Sequence, residues 1–68
     1  MFDEYRKEMR EQGKSIRGLA RYMGKSESSL TKKFTGVNPF RVDEVYGAME
    51  YINKPLYELP KYFPRYEV

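Results

Sequence analysis

The stretch SIRGLARYMGKSESSLTKKFTG, residues 15–36, decides the fold. Ile16, Leu19, Ala20 and Met23 recur at helical spacing, and the pattern stops at Gly24. It restarts at Ser26, carries Leu30 and Phe34 on one stripe, and stops again at Gly36. Ser15 and Ser26 each stand just before a periodic run, where a side-chain oxygen can satisfy an orphan N–H of a helix N-terminus. The spacing therefore predicts one helix over 15–23 and another over 26–35. Isolated helices shorter than about 12–15 residues are marginal in water, so these two must be held by packing.

Their connection is tight. Gly24 permits the positive-φ backbone of a sharp bend, and Ala20, one turn earlier, is small enough to let the next helix cross closely. A small residue, a glycine four later and an apolar residue six beyond that (Ala20, Gly24, Leu30) form the pattern of a helix-turn-helix. In that motif the second helix enters the DNA major groove while the first crosses the backbone. Taken alone, Ala-x-x-x-Gly also fits an ordinary αα-hairpin.

Working outward, Phe2, Tyr5 and Met9 share a helical stripe, with Asp3 and Glu4 near the start and Gly13 as a stop, giving a helix over 1–12. Pro39 biases Asn38 away from helix, so VNPF is a loop. A fourth helix over 42–53 is predicted from Val42, Val45, Tyr46, Met49 and Ile52, with Asp43 and Glu44 in its first turn. Residues 54–68 are aromatic and broken by prolines, which suggests a short turn and an extended tail. The expected fold is all-α: one domain over 1–68, a compact bundle of four to five short helices containing a helix-turn-helix, with a short aromatic C-terminal tail.

Composition narrows the chemistry. A chain of 68 residues buries only about 60 % of its unfolded surface, enough for a small core and little for a deep active-site cavity. It has no cysteine, which excludes a disulfide framework, and no histidine, which excludes zinc fingers and histidine-based catalysis. Asp43 and Glu44 are first-turn acids complementing a helix dipole, and the serines stand without a base. The protein is thus not expected to be an enzyme, nor to use a metal or cofactor. No apolar run is long enough to span a bilayer and the N-terminus is charged, so a soluble, unexported protein is expected.

Charge is unevenly placed. The whole chain carries +3, yet residues 14–33 hold six cations (Lys14, Arg17, Arg21, Lys25, Lys32 and Lys33) against Glu27 alone, a local net of +5. The remainder is net −2, with seven basic and nine acidic residues. Such clustering creates a local field that attracts polyanions. Ser15 and the N–H groups opening the second helix form an anion-binding end, with Lys14 and Arg17 beside them. With Leu30 and Phe34 inward, Ser28 and Lys32 fall on the opposite side of the third helix.

Residues 15–40 resemble the phage lambda repressor/Cro class of helix-turn-helix domains. FTGVNPF resembles the segment that follows the third helix in lambda repressor, SESSLTKKFTG is similar to the recognition helix of small phage and plasmid repressors, and PLYELPKYF resembles the ending of short Cro-like regulators. The resemblance implies a phage- or prophage-encoded regulator in the cytoplasm of a bacterial cell or infected host, acting on double-stranded operator DNA. It assigns base contacts to Ser26, Glu27, Ser28, Thr31 and Lys32, and adds Lys25 and Asn38 to the phosphate contacts Lys14, Ser15 and Arg17. About four to six neutralised phosphates would give a slope of roughly −4 to −5 for log K against log salt.

Two features depart from the class. Ile16 replaces the polar residue that commonly opens the second helix, and Gly18 lies inside that helix, where it costs about 1 kcal/mol relative to alanine. Gly18 either allows close approach by the first helix or the DNA backbone, or is tolerated. Tyr57, Tyr62, Phe63 and Tyr66 crowd the last dozen residues; they either cap a core too small to close alone or form an association surface for a second copy or a partner repressor. The rival function is a small modulator or anti-repressor that binds another repressor without reading DNA by itself.

Overall fold

A computed structural model describes residues 2–64. Five α-helices and one 3-10 turn follow one another: α1 (Asp3–Glu11), α2 (Ile16–Met23), α3 (Glu27–Phe34), α4 (Val42–Tyr51), the 3-10 turn (Leu56–Glu58) and α5 (Leu59–Tyr62). The fold is all-α, with no strand among the described residues. None of these helices is long and apolar enough to cross a membrane.

The serine caps form as the sequence suggests. Ser15 Oγ accepts from the Gly18 N–H and Ser26 Oγ from the Ser29 N–H, each at 3.1 Å. Between the two helices, Gly24 adopts φ 68°, and the Lys25 N–H returns 2.9 Å to the Ala20 carbonyl. This left-handed residue turns the chain by closing the end of α2, a conformation that costs a glycine little. Gly18 has a definite role: a Cβ there would collide with the Tyr51 hydroxyl. The missing side chain therefore leaves room for the Tyr51 side chain of α4 against α2.

An aromatic cluster forms the core between α1, α3 and the C-terminal segment. Phe34 lies 5.6 Å from Tyr5, 5.0 Å from Phe40 and 5.8 Å from Phe2, centroid to centroid. Phe63 completes it at 5.2 Å from Tyr5 and 5.4 Å from Phe40. Phe2 holds a left-handed backbone, φ 58°, which costs a residue with a side chain about 1–2 kcal/mol. Its ring contacts to Phe34, Phe40 and Phe63 offset that strain. Tyr5, fully buried, directs its hydroxyl 2.7 Å to the Ala48 carbonyl of α4, and burial pushes its pKa up.

Three expectations need correction. Helix α4 buries Glu44, Val45, Ala48 and Met49, with Ile52 buried just past its end, while Val42 and Tyr46 are 55 % and 38 % exposed. The inward arc is rotated from the one inferred, because Ala48 and not Tyr46 faces α1. The same helix ends at Tyr51, two residues early; Asn53 adopts φ 57° and the Lys54 N–H closes onto the Met49 carbonyl at 3.2 Å.

The third correction concerns the C-terminal aromatics. Tyr62 and Phe63 are 1 % and 0 % exposed, so they are core and not an association surface. Pro60 does not break this segment, because it sits in the first turn of α5, where a missing N–H costs no helical bond. Tyr57 alone of the described group is open to solvent, at 84 %, and Tyr66 lies outside the described residues.

Phe63→Ala is expected to lose about 3–5 kcal/mol, enough to leave so small a domain largely unfolded, whereas Tyr57→Ala should stay within about 0.5 kcal/mol of wild type. Urea unfolding followed by circular dichroism separates the two.

Candidate nucleic-acid interface

Helix α3 is held by its inward residues. Leu30 and Phe34 are fully buried, and Arg6 of α1 donates 3.3 Å to the Phe34 carbonyl at the helix end. Helical geometry then turns the opposite side outward. Ser26, Glu27, Ser28, Thr31 and Lys32 are all exposed, and Lys25 and Asn38 are exposed at either end of the helix. All five proposed base-contacting residues are exposed; Ser28 and Lys32 lie opposite Leu30 and Phe34, Thr31 lies beside them, and Ser26 and Glu27 stand at the start of the helix. Among the described residues, the side chains of Glu27, Ser28, Thr31 and Lys32 make no hydrogen bond or ion pair with the rest of the chain, while Ser26 serves as the cap.

The proposed phosphate-contacting set divides. Ser15 and Arg17 are exposed at the start of α2, although the Ser15 oxygen is already the helix cap. Lys14 is directed elsewhere: its ammonium donates to the Tyr51 carbonyl and lies 4.9 Å from the centre of the Tyr51 ring. It therefore caps the C-terminal end of α4, where a cation is favoured, and does not stand open to a phosphate. Lys33 is likewise turned inward. Exposed Arg17, Arg21, Lys25 and Lys32 remain to form the outward field.

The partner of Lys33 is Glu44, a residue that sequence reasoning placed only as a first-turn acid. Glu44 is 3 % exposed; Oε2 accepts from Lys33 and lies 3.7 Å from Lys25, while Oε1 accepts from the Arg41 N–H at 2.8 Å. One carboxylate thus caps α4 and fastens it to the last turn of α3 and to the bend before α3. Its burial, though not its partner, had a signal: Glu44 and Ala48 lie on one stripe of α4, which Ile52 continues just past the helix end. Asp43, its neighbour, is exposed and pairs with Arg41 at 3.2 Å.

Burial opposes ionisation of Glu44. The Lys33 hydrogen bond, the Arg41 N–H and the charges of Lys33 and Lys25 outweigh it, holding the carboxyl below the usual range. A second cluster joins α2 to α4, where Tyr22 donates to Glu50 and its ring lies 5.3 Å from that of Tyr51. No group of three or more acidic or other metal-ligating side chains is assembled among the described residues. Comparison of the chain with protein-family models, with curated proteins and with solved structures finds no match.

Because the folded pKa of Glu44 is depressed, its contribution is present above the unfolded carboxylate range and is lost as pH falls through the folded value. Glu44→Gln keeps the shape but leaves the nearly buried Lys33 ammonium without its counter-charge. The variant should be less stable than wild type by about 2–3 kcal/mol at pH 7, and the gap should narrow by pH 3. Urea unfolding at the two pH values measures both differences.

Proposed function

We propose that the protein is a sequence-specific, double-stranded-DNA-binding transcriptional regulator of the Cro/repressor type, acting by operator occupancy. One observation carries this reading: α3 is fixed by two fully buried side chains and presents Ser28, Thr31 and Lys32 outward. A B-form major groove about 12 Å wide admits such a helix, and these side chains suit its base edges. Hydroxyls donate and accept, a lysine reaches guanine O6 and N7, and Glu27 can accept from cytosine N4. Lys25 and Asn38 flank the helix and Arg17 is exposed at the start of α2; these are the side chains proposed for backbone contacts, which fix register without reading sequence.

With Lys14 and Lys33 held internally, about four outward cations remain. The expected slope of log K against log salt is therefore roughly −3 to −4, shallower than the sequence suggests. A second reading, a modulator that binds another repressor, draws support from exposed Tyr46, Leu56 and Tyr57. It differs in leaving the protein with only weak, salt-sensitive affinity for any duplex.

The double variant Ser28→Ala/Lys32→Ala tests the reading. Neither side chain is in the core, so its unfolding midpoint should match wild type within about 0.5 kcal/mol. Its preference for the favoured duplex over a scrambled one should fall by about tenfold to a hundredfold in fluorescence anisotropy at about 100 mM salt. Retention of the full preference would show that α3 does not read the bases.

A further inference from the structure

Glu44 is buried and forms no part of the outward α3 surface, yet it is bonded to a cation of that helix. Its carboxylate accepts from the Lys33 ammonium through Oε2 and from the Arg41 N–H through Oε1. Lys25 is held less firmly. Its ammonium lies 3.7 Å from Oε2, beyond hydrogen-bond range, and its side chain stays 40 % exposed against 13 % for Lys33. Of the two cations beside the carboxylate, Lys33 is taken inward and Lys25 remains open to solvent. Lys33 directly follows the outward Lys32 on α3, about 100° further round the helix. A lysine's flexible four-carbon stem spans that rotation once its partner is gone.

We propose that Glu44 is a positioning residue that limits DNA affinity: by holding Lys33 against α4 it keeps one ammonium away from the phosphate backbone. This role rests on the DNA reading of α3. Stability alone does not account for the pair. A buried ion pair is often matched or exceeded in stability by apolar residues of similar volume, since both charges must leave water.

The sequence-independent part of binding grows with each phosphate that a lysine or arginine neutralises. With Lys33 inward, exposed Arg17, Arg21, Lys25 and Lys32 carry that part. An ammonium left inside without a counter-charge is costly, so removing the carboxylate turns Lys33 out to water and to phosphate. The outcome is a variant that is less stable and binds DNA more tightly. A Glu44 that merely supported the fold would do the opposite: its loss would misplace α3 and weaken binding.

Fluorescence anisotropy of the full chain on a scrambled duplex, between about 50 and 200 mM salt, tests the role. Glu44→Gln should steepen the slope of log K against log salt by about one and tighten binding at about 100 mM salt by about fivefold. The favoured duplex should gain alike, changing the preference by less than about twofold, because phosphate contacts carry no sequence information. Lys33→Gln with Glu44→Gln leaves a neutral pair in the same place and should return slope and affinity to wild type. Lys25 is released equally in both variants, so their difference isolates Lys33. Lys33→Gln alone keeps Glu44 and should leave the wild-type slope unchanged, whereas Lys32→Gln should make it shallower by about one. That comparison decides the matter if circular dichroism shows Glu44→Gln to be unfolded. An unchanged slope in folded Glu44→Gln, a double variant as steep as the single, or a Lys33→Gln slope as shallow as that of Lys32→Gln overturns the role alone. A wild-type chain that binds neither duplex overturns the DNA reading, and the role of Glu44 with it.

Discussion

The direction in which α3 faces depends on Phe34. Its ring packs against Phe2 and Tyr5 of the N-terminal segment and against Phe40, while its carbonyl accepts from Arg6. Aromatic pairs of this kind contribute about 0.5–1.5 kcal/mol each beyond the area they bury. Several such pairs converge on one residue, so rotating α3 about its axis would break them together. With Phe34 and Leu30 fixed inward, the 3.6-residue repeat leaves Ser28 and Lys32 outward. The outer surface thus follows from the inner one.

Glu44 adds a second restraint, on the last turn of the same helix and on the bend before it. A buried carboxylate is costly unless it is paired and hydrogen-bonded, and here the Arg41 N–H, Lys33 and Lys25 meet that requirement. The arrangement has an electrostatic consequence for the outer surface. Lys33 is withdrawn from the basic field by Glu44, as Lys14 is by the Tyr51 carbonyl, so the field is weaker and more focused than the sequence charge implies. The Gly18 gap belongs to the same design: it lets Tyr51 lie against α2, which in turn brings the Tyr51 carbonyl within reach of Lys14.

Local chemistry made much of this legible. Ser15, Gly24 and Ser26 mark helix ends through bonds to residues three or four positions away, and such signals survive in sequence. The exposure of Ser28 and Lys32 follows from the same short-range periodicity once Leu30 and Phe34 are placed inside, whereas Ser26 and Glu27 are exposed because they open the helix. What could not be read depends on distant partners. Tyr62 and Phe63 are core because Tyr5, more than fifty residues earlier, packs against them. Whether Tyr46 or Ala48 faced inward on α4 was undetermined, since both lie on arcs that include Val45 and Met49. The pairing of Lys33 with Glu44 requires two helix ends to meet, and no spacing within either helix announces it.

The most direct measurement is selection of bound duplexes from a random DNA library at about 100 mM salt, where non-specific phosphate binding is already weakened. Occupation of the major groove by α3 is expected to enrich a defined sequence, one half-site long for a monomer, or repeated as a palindrome about 10 base pairs apart for a dimer. A pool that stays random after repeated rounds would contradict it, since a helix bearing Ser28, Thr31 and Lys32 against base edges cannot treat all sequences alike.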